Sequence, residues 1–172
     1  MFPFHIWFSL CLAAYLSHTA VHVYDLRGKA KKSVQQAGAL VLLLSWISWI
    51  GMLSATQPAI PEVQAWNLMF FVGLFQTVAG ASLIFLGLKE KPSFESRTEV
   101  LSKGIYSKFL HPVYYGMILL LLGLPLLASA QYSLYTAPLW IGFIVFFMVT
   151  ETRYLEMKGG KRFHKIEEEV LI

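Results

Sequence analysis

Long apolar runs separated by short basic clusters leave this chain one environment in which to fold. All fourteen Lys and Arg residues fall within 27–32, 89–108 and 153–165, and the stretches between those segments hold none. A chain of 172 residues that is 56% hydrophobic and only 14% charged is too apolar for an ordinary soluble domain of this size. Its solvent is the bilayer. Inside hydrocarbon every backbone N–H and C=O must find a partner within the protein, and runs of this length satisfy that condition as α-helices. The expected fold is therefore an all-α, polytopic membrane protein, a single integral domain over residues 1–172.

Crossing a hydrocarbon core of about 30 Å takes roughly 20 residues of helix. Five stretches approach that length, near 2–24, 36–55, 65–88, 113–129 and 132–151. The fourth is the shortest, Gly123 and Pro125 interrupt it, and only Ala128-Ser129-Ala130-Gln131 separates it from the fifth. Spans four and five are thus expected to form a helical hairpin with an uncharged turn. The first run has no Lys or Arg ahead of it and lacks a small-x-small cleavage site, so it reads as a retained span rather than a removable signal.

Biosynthesis keeps basic loops on the cytoplasmic side. That rule puts the N-terminus outside and the segments 25–35, 89–112 and 152–172 inside, leaving Glu62 in the Pro58/Pro61 loop as the only charge outside. The net charge of +4 does not point to nucleic acid, because the basic residues are interleaved with Glu90, Glu95, Glu99 and Glu156 at a membrane boundary. Anionic headgroups suit that pattern better. The single Cys11 cannot form an intrachain disulfide and lies inside an apolar run, where a thiol packs as a small apolar group.

Chemistry is therefore sought on the basic side. The densest cluster of special residues runs from Thr98-Glu99-Val100-Leu101-Ser102-Lys103-Gly104-Ile105-Tyr106 to His111-Pro112-Val113-Tyr114-Tyr115-Gly116 at the start of span four. Gly104 suits a turn, and Pro112 suits the first turn of a helix, where its missing N–H costs nothing. The N–H groups of such a helix start can hold a carboxylate, while His111 and the tyrosines offer a hydrogen bond and an aromatic wall to a cation. The plainer reading is turn punctuation with an interfacial tyrosine belt.

Elsewhere, His18 and His22 lie four apart on one face of span one, with Asp25 beyond. That spacing would suit a metal or haem, but no Cys or acidic partner has matching spacing, which favours two polar residues packed between helices and hydrogen-bonded to Ser or Thr. Span two carries Trp46 and Trp49 with Ser45 and Ser48. Span three carries Gly73, Gln76, Thr77, Gly80, Ala81 and Ser82, small and polar residues that mark a packing helix, with Gln76 the one to watch. The tail from Met157 interleaves Lys158, Lys161, Arg162 and Lys165 with Phe163 and Ile166, the pattern of an interfacial helix that could close over a site about Gly159-Gly160, before Glu167–Glu169.

The string from Thr98 through Gly116 resembles the segment T-E-L-V-x-x-G-P-Y-R-x-x-R-H-P-x-Y-x-G of the isoprenylcysteine carboxyl methyltransferase and phospholipid N-methyltransferase superfamily. Glu151-Thr152-Arg153-Tyr154-Leu155, followed in register by Gly160, Phe163 and Ile166, resembles that family's C-terminal E-E-x-x-L-x-x-x-(F)-G-x-x-Y-x-x-Y. The five-span layout is similar to its compact prokaryotic members. What the resemblance implies is an enzyme that holds S-adenosylmethionine between these two segments and methylates a lipophilic acceptor entering from the bilayer. Gly104, Tyr106, His111, Pro112, Tyr114, Gly116 and Tyr154 would line the cofactor pocket, Glu151 would bind the cofactor or a nucleophile, and Arg153 would hold an anionic substrate group. No metal is implied.

Four positions depart from the family pattern. Ser107 and Leu110 stand where it has two arginines, Ile105 replaces its proline, and Thr152 replaces its second glutamate. Lys103, Lys108 or Arg153 would then have to supply the missing cation, and lysine is a poorer bidentate partner than arginine. The alternatives are a non-catalytic or haem-binding membrane protein on the same scaffold, and a sterol-reductase-like enzyme using NADPH. The last would need a phosphate cradle rich in Arg or Gly, which the sequence lacks. Carboxylate, amine and thiol acceptors all remain open, as does oligomeric state.

Overall fold

The computed structural model describes residues 3–27, 31–60, 68–90 and 104–159. Five α-helices account for most of them: α1 (Phe4–Leu26), α2 (Lys32–Ser54), α3 (Leu68–Glu90), α4 (Pro112–Leu127) and α5 (Gln131–Gly159), with a 3₁₀ turn at Gly104–Ser107. No strand occurs among the described residues. Among the described residues, four of these helices are long and apolar enough to cross a membrane. α4, the expected shortest, has 16 residues, or about 24 Å. The expected spans match these helices to within a few residues except at the end of α5, which runs on through Glu151 and Arg153 to Gly159. Glu62, the stretch Thr98–Lys103, and Gly160, Phe163, Ile166 and Glu167–Glu169 lie outside the described residues.

The helices pack as two pairs, α1 with α2 and α3 with α4, and α5 lies between them against α1 and α4. Lipid tails are as apolar as leucine, so close packing rather than water exclusion must hold such helices together. Large side chains do this in one half. Cys11 and Tyr15 of α1, Trp49 and Met52 of α2, Leu121 of α4, and Trp140, Ile144 and Phe147 of α5 form one buried cluster. The Tyr15 ring stacks on Trp140 at 5.4 Å and on Phe143 at 5.2 Å.

α3 is held differently. Its buried residues are Gly73, Gly80 and Gly87, seven apart on one face. Running antiparallel, Gly80 meets Gly116 and Gly73 meets Gly123: a Cβ on Gly80 would lie 2.7 Å from the Gly116 carbonyl oxygen, and one on Gly116 would lie 2.6 Å from that of Gly80. The two backbones therefore touch, as small residues in span three led one to expect. The opposite face of α3 is large and apolar, with Leu68, Phe75 and Phe85 each about 70% exposed, as suits lipid. The side-chain oxygens of Gln76 and Thr77 are buried without a hydrogen-bond partner among the described residues.

The two ends of the bundle differ. At one end a Schellman turn closes α4: Ser129 takes φ +49, Ala130 N–H reaches Pro125 O at 2.8 Å and Ser129 N–H reaches Leu126 O. The Ser129 hydroxyl accepts from Ile60 N at 2.9 Å, and Gln57 accepts from Ser133 N at 3.0 Å, so the chain leaving α2 is tied to the hairpin turn. The described residues of this end carry no charge. The other end carries Arg27, Lys31, Lys32, Lys89, Lys108 and Arg153, together with every residue of the candidate site.

Candidate functional site

The site begins where α3 stops. Glu90, the last residue of α3, accepts hydrogen bonds from Ile105 N at 3.0 and 3.2 Å, which fastens the 3₁₀ turn to the helix end. Gly104 permits this in two ways. Its φ of +57 is costly for any residue with a Cβ, and a Cβ there would overlap the Glu90 carboxylate. Ser107 donates to Gly104 O at 2.7 Å and closes the turn.

Tyr106 is consequently buried, its hydroxyl directed at Gly87 O at 3.4 Å. Burial, then the charges of Glu151 and Glu90, push its phenol up to about 12. The sign follows: a raised value favours the protonated fold, so this contribution to stability is intact below the unfolded value of 10 and is lost as pH climbs from there through about 12. A titration of phenolate absorbance should show a step near 12 in the native protein that is missing in Tyr106→Phe. If Tyr106→Phe instead removed absorbance only at the ordinary tyrosine value, that would contradict the burial.

From the turn the chain reaches His111, the N-cap of α4, whose own side chain makes no capping hydrogen bond, with Pro112 in the first helical turn. One turn on, Tyr114 lies on the same face as His111, ring centroids 5.6 Å apart. Both meet α5. Tyr114 OH donates to Glu151 Oε2 at 2.7 Å, and His111 Nε2 lies 2.7 Å from Thr152 Oγ1. Segments 37 and 41 residues apart in sequence are thereby joined. The family-like strings around His111 and Glu151 occupy one place.

Not every residue singled out from the sequence lies in that place. His111, Tyr114 and Glu151 come together, with Tyr106 close enough to feel the Glu151 charge. Tyr154 follows Glu151 by three residues, on the same side of α5, and is half-buried. Gly116 instead faces α3, where it meets the Gly80 backbone, and Pro112 is buried beside Gly87. Gly104 is exposed and braced on Glu90. Arg153 is also exposed, two residues beyond Glu151 and so on the far side of the helix.

Two partners were not evident as such from the sequence. Glu90 read only as a boundary charge, although a carboxylate ending a span ahead of a glycine turn is a candidate clamp. Thr152 read as a lost glutamate, whereas its hydroxyl engages His111. His18 and His22 extend the same polar layer across α1: His18 Nδ1 lies 2.9 Å from Gly38 O, His22 Nε2 lies 3.0 Å from Thr150 Oγ1, and Gln35 donates to Asp25 at 2.7 Å. These are contacts of the packed, hydrogen-bonded kind. Among the described residues no group of three or more His, Cys, Asp or Glu is placed to hold a metal ion.

Chemically the cluster combines a carboxylate, two phenols and an imidazole at the basic end of the bundle. Such a set favours a cation, through charge on Glu151 and through the ring faces. No curated protein and no solved structure matches the chain. Residues 20–168, which include all five helices in whole or part and every residue of this cluster, match the protein family of unknown function DUF1295, and the chain belongs to that family.

Proposed function

We propose that the protein is an integral membrane methyltransferase that uses S-adenosylmethionine to methylate a lipophilic, membrane-embedded acceptor. The observation that carries this reading is the pair of hydrogen bonds, Tyr114 to Glu151 and His111 to Thr152, which join the two segments resembling the isoprenylcysteine carboxyl methyltransferase and phospholipid N-methyltransferase superfamily. The donor set suits the cofactor's cationic character. Glu151 would hold its positive charge, while Tyr114, Tyr106, Tyr154 and His111 would wall it.

Bound there, S-adenosylmethionine supplies a methyl group on a sulfonium, and its transfer is an in-line displacement that asks little of acids or bases. The protein's task is then alignment and the exclusion of water. Tyr114 fixes the Glu151 carboxylate, and the Glu90 clamp holds Tyr106 in place beside it. Arg153, exposed at the basic end, would pair with an anionic group of the acceptor. The basic end would face the cytoplasm, where the cofactor is water-borne. Labelling a cysteine placed at Lys31, in a Cys11→Ser background, with an impermeant thiol reagent checks that orientation: protection in intact cells supports it, and ready labelling refutes it.

Calorimetry on the detergent-solubilised full chain tests the activity class. Saturable binding of S-adenosylmethionine supports the methyltransferase. Binding of NADPH in its place would favour the reductase reading, and a Soret band in the purified protein would favour haem.

A further inference from the structure

His18 and His22 are buried on α1, and both touch α5 beside the turn that carries Glu151. Burying an imidazole inside a helix bundle is costly unless it is engaged. α2 engages His18, whose Nδ1 donates to Gly38 O at 2.9 Å. A Cβ on Gly38 would lie 2.6 Å from Val21 Cγ1, so α1 and α2 are locked together at this level. α5 engages His22, whose Nε2 lies 3.0 Å from Thr150 Oγ1. Both rings also converge on the buried Phe147, His18 edge-on with centroids 5.0 Å apart and His22 at 5.1 Å. Phe147 precedes Thr150 by three residues and Glu151 by four, which places it on their face one turn back. α1 thus grips α5 on two successive turns next to the carboxylate.

Successive residues of a helix point about 100° apart. Thr150 meets α1, Thr152 meets His111 of α4, and Glu151 points between those two directions, where Tyr114 bonds its carboxylate at 2.7 Å. α5 is therefore tied to a neighbour on each side of Glu151. Turning the helix by about 20° would sweep a side-chain tip about 5–6 Å from the axis through about 2 Å, enough to part a hydrogen bond. The structure assigns His22, acting through Thr150, as a positioning residue that fixes the rotation of α5 and so holds the Glu151 carboxylate on Tyr114. His18 and Gly38 anchor that grip on α2.

The hold on the carboxylate stands on these contacts, whereas its consequence for affinity rests on the S-adenosylmethionine reading above. The test uses the solubilised full chain carrying ¹³C-carboxyl glutamate, with Thr150→Val, Thr150→Ser and His22→Ala beside it. Two references calibrate the infrared spectrum. Glu151→Gln identifies the Glu151 band by its loss, and Tyr114→Phe shows where that band moves without its phenol. Thr150→Val and His22→Ala should shift the band as Tyr114→Phe does, and Thr150→Ser, which keeps the hydroxyl, should leave it in place. Affinity for S-adenosylmethionine should fall about threefold to tenfold in Thr150→Val, the scale of one hydrogen bond, and recover in Thr150→Ser. Added to Glu151→Gln, Thr150→Val should cost no further affinity, because the charge it positions is already gone.

A Glu151 band that Thr150→Val leaves unmoved overturns the assignment. So does a loss of affinity equal in the native and Glu151→Gln backgrounds, which would report a general loosening of α5. If the native chain does not bind S-adenosylmethionine, the methyltransferase reading fails, and the infrared band by itself decides whether His22 and Thr150 hold the carboxylate.

Discussion

Glu151→Gln should bind S-adenosylmethionine about tenfold to a hundredfold more weakly than the native chain, the scale of a charge-assisted contact worth about 1.5–3 kcal/mol. The substitution isolates charge from shape. Glutamine keeps an oxygen for the Tyr114 hydroxyl, now 2.7 Å from Glu151 Oε2, so the α4–α5 junction should survive. His111→Ala acts on the other segment, removing the partner of Thr152 and the ring beside Tyr114. Calorimetry on the solubilised protein reads both. If neither substitution changes the affinity of a protein that binds the cofactor, the pocket lies elsewhere.

The largest effect on stability should come from α3. Gly80→Leu puts a Cβ 2.7 Å from the Gly116 carbonyl and 3.0 Å from Leu119 Cβ. No rotamer relieves an overlap at Cβ, so the two backbones must separate along the seam that holds α3. A loss of about 3 kcal/mol is expected, at the upper end of overpacking costs. Gly142→Ala on α5 is the matched control. Among the described residues nothing lies within 4 Å of a Cβ there, and a more stable helix by about 0.5–1 kcal/mol should result. Thermal unfolding in detergent should move the two variants in opposite directions, and a Gly80→Leu protein as stable as the native one would refute the close approach.

The spans were legible in the sequence because hydropathy is summed over some twenty residues, and errors at single positions average out. Small residues on span three likewise announced a packing helix, since only a close neighbour makes Gly73 and Gly80 useful on one face. The end of α5 was not legible. Thr152 and Arg153 are polar, so an apolar run stops at Glu151, yet the backbone meets no helix breaker before Gly159 and simply continues as helix past the apolar run. The site was legible in its members more than in their roles. Tyr114 and Glu151 each stood out, but their bond spans 37 residues and depends on how α4 and α5 cross. Gly116 shows the reverse. It sits in a string that looked like a binding loop, and its hydrogen-only side chain serves the α3 backbone instead.

The seven-residue repeat of glycines on α3 works like the marks of a vernier. Glycines at 73, 80 and 87 face 123 and 116 in the observed alignment, but sliding α3 by one repeat, about 10 Å along α4, would set Gly80 on Gly123 and Gly87 on Gly116 with the same closeness of backbone. The seam alone is degenerate between these two settings. What breaks the tie is polar and lies at the basic end, where Glu90 grips Ile105 and Tyr106 reaches Gly87. One carboxylate and one phenol thus choose the depth at which an otherwise slippery helix comes to rest.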